Sequence, residues 1–112
     1  MELITRPRAV RYNLGSLDRI PQGEGRTFQI GDKAIAVFHT RHGNLYATQA
    51  TCPHKAGPLS DGIVGAGKVI CPLHSYKFDL ATGAAIGHTC GALQTYPVTL
   101  NEDGDILLSL DL

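Results

Sequence analysis

Two short stretches, Cys52-Pro53-His54 and Cys71-Pro72-Leu73-His74, decide how this chain folds and what it can bind. Each stretch offers one thiolate and one imidazole, each has a proline directly after its cysteine, and residues 55–70 separate the two. Sulfur and imidazole ligands suit iron or zinc, whereas magnesium and calcium prefer oxygen. The two stretches therefore predict one metal centre, and its predicted ligands are Cys52, His54, Cys71 and His74.

The arrangement of these four residues separates two kinds of metal centre. In a Rieske-type [2Fe–2S] cluster, two His replace two Cys on one of the irons, which a mixed pair on each loop can supply. A structural zinc site can also use two Cys and two His, but it usually pairs Cys with Cys and His with His at short spacing. The sequence therefore predicts one Rieske-type [2Fe–2S] cluster, with zinc or four unrelated residues as the alternatives.

The composition of the whole chain is that of one ordinary soluble globular domain. Its 112 residues suffice for a single core, so we expect one domain over residues 1–112. Ten basic side chains balance ten acidic ones, so no overall field favours nucleic acid or an anionic membrane. No apolar run is long enough to span a bilayer, and the first residues lack the apolar stretch of a secretory signal. The expected location is the cytoplasm, with neither nucleic acid nor membrane as a partner.

Outside the two ligand stretches, much of the chain alternates apolar and polar residues. Phe28 and Ile30 alternate with polar neighbours before a Gly31-Asp32 turn, and residues 95–100 and 105–110 show the same period of two. This period, interrupted by short turns, predicts antiparallel strands. Only residues 16–20 look helical, and they amount to one turn at most. The predicted fold is all-β, with small antiparallel sheets in a sandwich or barrel.

The two ligand stretches interrupt the middle of the chain as an insert of about residues 48–83. Val69-Ile70 leads into the second stretch as one strand, and residues 76–79 leave it as another. Two hairpin-like loops that approach from opposite sides can enclose a flat two-iron cluster, and a proline stiffens each loop just past its cysteine. We therefore expect a two-loop cluster-binding insert.

On these residues the chain resembles the Rieske ferredoxin family, and the resemblance runs from about Tyr12 to Leu110. Cys52, His54, Cys71 and His74 fall on the four ligands of the family. The respiratory branch of the family adds a disulfide between the loops, but the two places hold Gly57 and Leu73 in this chain. The resemblance therefore implies an electron carrier of the soluble, low-potential branch.

Within that branch, the chain is similar to the small subunit of NAD(P)H-dependent assimilatory nitrite reductase. The stretches that carry this similarity are CPHKAGPLSDGIV at 52–64, CPLHSYKFDLATG at 71–83 and TYPV at 95–98. The similarity implies a large nitrite reductase subunit as the redox partner. Dioxygenase ferredoxins share part of these stretches, so a free-standing ferredoxin between a flavin reductase and a ring-hydroxylating dioxygenase is the alternative. A zinc-stapled interaction module is a remote third hypothesis.

No stretch of the chain looks like a site that activates a substrate. The sequence has no facial triad of two His and a carboxylate, no glycine-rich nucleotide motif and no paired nucleophile and base. We therefore assign no catalytic residue and expect an electron-transfer subunit of an oxidoreductase rather than a catalyst.

The third cysteine and the other histidines are given ordinary roles. Cys90 has no predicted partner, which fits a reducing compartment, and we expect a small buried residue, with a place near the cluster as the alternative. His39 and His42 flank a predicted turn and are expected to be solvated. The resemblance implies that residues 84–93 cover the cluster, so a relay role for His88 is an alternative to an ordinary loop position.

Overall fold

The computed structural model of the chain describes residues 9–53, 57–72, 76–87 and 91–111. Short strands joined by tight turns make up most of these residues, and 3₁₀ turns lie at Leu17–Arg19 and Leu59–Asp61. In chain order the strands are β1 (Ala9–Ser16), β2 (Glu24–Ile30), β3 (Lys33–His39), β4 (Leu45–Gln49), β5 (Ile63–Gly65), β6 (Lys68–Ile70), β7 (Lys77–Asp79), β8 (Ala85–Ile86), β9 (Thr95–Tyr96), β10 (Val98–Leu100) and β11 (Asp105–Asp111).

The strands form three small antiparallel sheets. One sheet has the order β1-β11-β10, the second β2-β3-β4-β9 and the third β5-β6-β7-β8. The third sheet lies wholly within residues 63–86 and carries the second ligand stretch between β6 and β7. Neither an α-helix nor a helix long and apolar enough to cross a membrane occurs in the described part of the chain. The all-β prediction is confirmed.

Strand β3 is buried on both faces and separates two hydrophobic cores, whereas the chain length predicts a single core. Because side chains alternate across a strand, Ala36 and Phe38 point to one core while Ile35 and Val37 point to the other. The core on the insert side, here called the cluster core, contains Ala36, Phe38, Cys52, Leu59, Val64, Val69, Cys71, Phe78, Leu80 and Leu93. The other, the base core, contains Leu14, Ile20, Ile35, Val37, Ala47, Ile106, Leu108 and Leu110.

Phe38 fastens the insert to the second sheet. Its side chain is fully buried, and a Cβ added at Gly25 of β2 would lie 2.7 Å from its ring. Next to it, the hydroxyls of Thr27 and Ser60 lie 2.8 Å apart, so β2 also contacts the 3₁₀ turn at Leu59–Asp61. Strand β2 of the second sheet therefore packs directly against the segment that follows the first ligand stretch.

Replacing Phe38 by Ala is expected to lower the free energy of unfolding by about 3–5 kcal/mol, because it leaves a cavity between the second sheet and the insert. The midpoint of thermal unfolding should fall by roughly 10–20 °C. Phe28→Ala is the matched control, since Phe28 is only partly buried at the edge of the base core. Equal losses in the two variants would contradict the role assigned to Phe38.

The predicted turns are confirmed. Ile30 pairs with Lys33 across the Gly31-Asp32 turn, and the amide of Thr40 donates to the carbonyl of Asn44 across the next turn. The helical turn predicted at residues 16–20 is the 3₁₀ turn Leu17–Arg19, where the hydroxyl of Ser16 accepts a hydrogen bond from the amide of Asp18 at 3.1 Å. These turns are therefore predictable from residues that are close together in the sequence.

Two local predictions were wrong. His42 is exposed as expected, but His39 is 7% exposed, and its Nδ1 lies 2.8 Å from the carbonyl oxygen of Ile20. His39 is the last residue of β3. The residue that covers its side chain, Ile20, follows the first 3₁₀ turn and lies 19 residues earlier in the chain. Residues 95–100 are not one strand, because β9 and β10 belong to different sheets and Pro97 between them has no amide to donate.

Candidate metal centre

The first ligand loop leaves the end of β4 and returns to the 3₁₀ turn at Leu59–Asp61. The amide of Cys52 donates to the carbonyl of Gly57 at 2.9 Å, and Thr51 bridges to Pro58. The amide of Leu59 donates to Ala50 at 2.9 Å and anchors the returning chain. These contacts close a six-residue loop that begins with Cys-Pro.

The second ligand loop is closed in the same way. The amide of Cys71 donates to the carbonyl of Tyr76 at 2.7 Å, which again joins a cysteine to the fifth residue after it. Strands β6 and β7 hold the two ends in register through the pair Val69 and Phe78. Each predicted cysteine ligand therefore begins a six-residue segment that is closed by the same kind of backbone hydrogen bond.

The structure brings Cys52 and Cys71 together in the cluster core. Each cysteine is 2% exposed, whereas Pro53 and Pro72, which follow them, are exposed. His54 and His74 lie outside the described residues, as do Lys55 and Leu73. Among the described residues, no group of three or more His, Cys, Asp and Glu side chains is placed to hold a metal. The structure thus brings together the two cysteines of the predicted set.

The surroundings of the two cysteines suit an iron–sulfur cluster. Leu59, Phe78 and Leu80 of the same core are 0–1% exposed, so the thiols lie in an apolar shell. Thiolate sulfur is the ligand that iron–sulfur clusters take, and the apolar shell around a centre controls both solvent access and reduction potential. The sulfur donors that are present therefore fit the predicted cofactor.

A third segment, residues 91–94, completes this shell. Leu93 is 4% exposed and belongs to the cluster core together with both cysteines. Its amide donates to the carbonyl of Gly83 at 2.7 Å, so the turn between β7 and β8 holds it. The resemblance implies a covering loop over residues 84–93, and Leu93 is the buried residue at its end. His88 and Cys90 lie outside the described residues, so their roles stay predictions.

Gln49 is a polar contact of the site that the sequence did not indicate. Its backbone amide donates to the carbonyl of Gln94 at 2.9 Å, and its Oε1 accepts a hydrogen bond from the amide of Gln94 at 2.8 Å. Its Nε2 donates to the carbonyl of Thr51 at 2.8 Å. Because the partner segment lies 45 residues away, no local pattern could have singled Gln49 out.

The fold and the paired cysteine loops define a class of iron–sulfur electron carrier. A family model described as a Rieske-like [2Fe–2S] domain matches residues 12–109 of the chain. The chain therefore belongs to the Rieske-like [2Fe–2S] domain family. Its cofactor is a Rieske-type [2Fe–2S] cluster rather than zinc, and the protein is a Rieske electron-transfer ferredoxin.

Two curated relatives represent two different electron-transfer systems. The ferredoxin component of the naphthalene 1,2-dioxygenase/salicylate 5-hydroxylase systems of Ralstonia sp. is 35% identical over 99 residues, which cover 85% of this chain and 90% of that protein. The nitrite reductase [NAD(P)H] of Emericella nidulans is 39% identical over 89 residues, which cover 71% of this chain and 8% of that protein. Both kinds of relative that the sequence suggested are therefore found.

Two solved structures share the fold of this chain. The protein named as an NADH-dependent nitrite reductase small subunit from Mycobacterium tuberculosis superposes with a TM-score of 0.85 at 22% identity, covering 92% of this chain and 96% of that one. The Sphingomonas yanoikuyae B1 ferredoxin superposes with a TM-score of 0.79 at 30% identity, covering 90% and 99%. The first likeness shows the fold alone.

Proposed function

We propose that this chain is the electron-transfer small subunit of an assimilatory NAD(P)H nitrite reductase. The observation that carries the proposal is the 39% identity to the Emericella nidulans nitrite reductase over 89 residues. The stretches at 52–64, 71–83 and 95–98 support it, because they are similar to the small subunits of that class. In this role the chain receives single electrons and passes them to the large subunit, which reduces nitrite.

The proposal assigns the cluster to Cys52, His54, Cys71 and His74. The equal closure of the two six-residue loops and the burial of both cysteines support this assignment. When bound, the cluster supplies a site that accepts and returns one electron. We place it in a single domain over residues 1–112, with an insert of about residues 48–83 that carries the four ligands and strands β5, β6 and β7 of the third sheet.

A second candidate is a free-standing ferredoxin that passes electrons from a flavin reductase to a ring-hydroxylating dioxygenase. The specific observation that favours it is the Ralstonia ferredoxin component, which is 35% identical and aligns over 90% of its own length. The two candidates share the cofactor and differ in the redox partner. We propose the cytoplasm as the compartment for both.

Reconstitution with each partner class tests the choice between them. The purified holoprotein is added with NAD(P)H to a nitrite reductase large subunit that binds flavin and sirohaem, and nitrite loss is followed. In parallel it is added to a flavin reductase and a ring-hydroxylating oxygenase, and substrate hydroxylation is followed. We expect the holoprotein to stimulate nitrite loss and to leave hydroxylation at its background. Stimulation of hydroxylation alone would overturn the first proposal and support the second.

Replacing Leu73 by Asp is expected to slow electron transfer to the partner by roughly tenfold. Docking would bury the new charge in the contact with the partner, and a small apolar contact disfavours a buried charge. Leu73 lies between two proposed ligands in the sequence, next to exposed Pro72. The visible spectrum should stay unchanged. Thr99→Asp is the control, since Thr99 is exposed on β10 in a different sheet from the second ligand loop. Stopped-flow reoxidation of the reduced protein measures both rates, and equal rates would place docking elsewhere.

A further inference from the structure

The side chain of Gln49 ties together two segments that are distant in sequence and that both border the metal centre. Its Nε2 donates to the carbonyl of Thr51, the residue directly before Cys52, and its Oε1 accepts from the amide of Gln94, the residue directly after Leu93. Both hydrogen bonds are 2.8 Å long, and Gln49 is partly buried. One amide group therefore satisfies a backbone acceptor on the first ligand loop and a backbone donor on the covering segment.

The covering segment, residues 91–94, is held from two sides. Leu93 is held from the insert by the bond between its amide and the carbonyl of Gly83. From the second sheet it is held through the next residue, Gln94. The amide of Gln94 donates to Oε1 of Gln49, and its carbonyl accepts from the backbone amide of Gln49. Without the side chain of Gln49, one backbone hydrogen bond, from the amide of Gln49 to the carbonyl of Gln94, joins the described residues 91–94 to the second sheet, ahead of the pairing of β9 with β4 that begins at Thr95.

We infer that Gln49 is a positioning residue for the metal centre: it holds Leu93 in the cluster core and thereby keeps water away from the cysteine sulfurs. Water near an iron–sulfur cluster stabilises the reduced, more negative form, so the apolar cover keeps the reduction potential low. This role depends on the cofactor alone. It holds for either of the redox partners under Proposed function.

The first test compares Gln49→Met with Gln29→Met in the holoprotein. Methionine keeps the length of the side chain and removes both hydrogen bonds. Gln29 is a matched control, because its Nε2 also donates to a carbonyl two residues further on, that of Gly31 at 3.0 Å, but at the distant β2–β3 turn. We expect Gln49→Met to raise the reduction potential measured by voltammetry and to release iron to a chelator about tenfold faster, whereas Gln29→Met leaves both unchanged.

Leu93→Ala tests the cover itself. It leaves both Gln49 hydrogen bonds in place and should raise the reduction potential in the same direction as Gln49→Met. Because the two residues act through one cover, the double variant should raise the potential by less than the sum of the two single shifts. Additive shifts would mean that Gln49 acts independently of Leu93 and would overturn the inference.

Gln49→Glu separates the two hydrogen bonds and guards against a variant that does not fold. Its carboxylate still accepts from the amide of Gln94 but cannot donate to Thr51. Because its negative charge also lowers the reduction potential, the two variants are compared by iron release, which we expect to be slower in Gln49→Glu than in Gln49→Met. If Gln49→Met and Gln49→Glu lower the thermal midpoint while the potential and the electron paramagnetic resonance spectrum stay those of the wild type, Gln49 is merely structural and the inference is wrong.

Discussion

Replacing Cys52 by Ala is expected to yield a colourless protein without bound iron or acid-labile sulfide. Cys52 is 2% exposed in the cluster core and is one of two cysteine ligands in the proposed set. The other described cysteine, Cys71, is itself a proposed ligand, so it cannot take the place of Cys52. Cys71→Ala, His54→Ala and His74→Ala should have the same result. Visible absorption, together with iron and sulfide assays on anaerobically purified protein, measures the outcome.

Cys90→Ala is the control for this prediction. It also removes a thiol, but no ligand role is assigned to Cys90, so the variant should keep its colour and its iron. The ligand variants should also unfold at lower temperature than the wild type, because cluster binding contributes to the free energy of folding. A coloured Cys52→Ala protein, or a wild-type protein that holds zinc without sulfide, would contradict the ligand assignment.

Replacing Gly83 by Ala is expected to destabilise the protein by about 3 kcal/mol or more. Gly83 is buried with φ +80°, a left-handed conformation that side chains disfavour, and an added Cβ would meet the carbonyl oxygen of Leu93. The collision is with backbone, so it can be relieved only by moving the covering segment away from the insert. The midpoint of thermal unfolding, followed by the visible absorption of the cluster, should fall by roughly 10 °C or more.

Gly104→Ala separates the two causes of this loss. Gly104 has φ +82°, nearly the same conformation, but an added Cβ there would meet nothing within 4 Å. Its substitution should therefore cost only the conformational strain, about 1 kcal/mol. If both variants unfold at the same temperature, the close approach of Gly83 to Leu93 does not contribute and the account of the covering segment fails.

Local sequence signals predicted most of the strands and turns. The Gly31-Asp32 turn joins β2 to β3 in the expected register, and the alternation of residues 105–110 places Ile106, Leu108 and Leu110 in the base core. The ligand role of both metal-loop cysteines rests on local features as well, their spacing from a histidine and their following prolines, and it stays a prediction. These elements depend on neighbours within a few residues, so they can be predicted from one sequence.

The features that the sequence did not predict depend on contacts between distant segments. His39 is buried because the carbonyl of Ile20 lies over it, and Gln49 acts at the site because Gln94 comes to it across the fold. The sequence likewise gave no sign that Pro97 divides residues 95–100 between two sheets, since a period of two continues on both sides. Such contacts follow only from the tertiary arrangement.

The burial of β3 on both faces gives protein engineers a rule based on residue parity. Even positions, Ala36 and Phe38, face the redox centre, and odd positions, Ile35 and Val37, face the base. Volume-conserving changes at odd positions can therefore adjust thermal tolerance for practical use while leaving the electron-transfer properties alone. Changes at even positions act on the surroundings of the redox centre as well as on stability, as the loss expected for Phe38→Ala illustrates, so the two faces of one short strand have different uses.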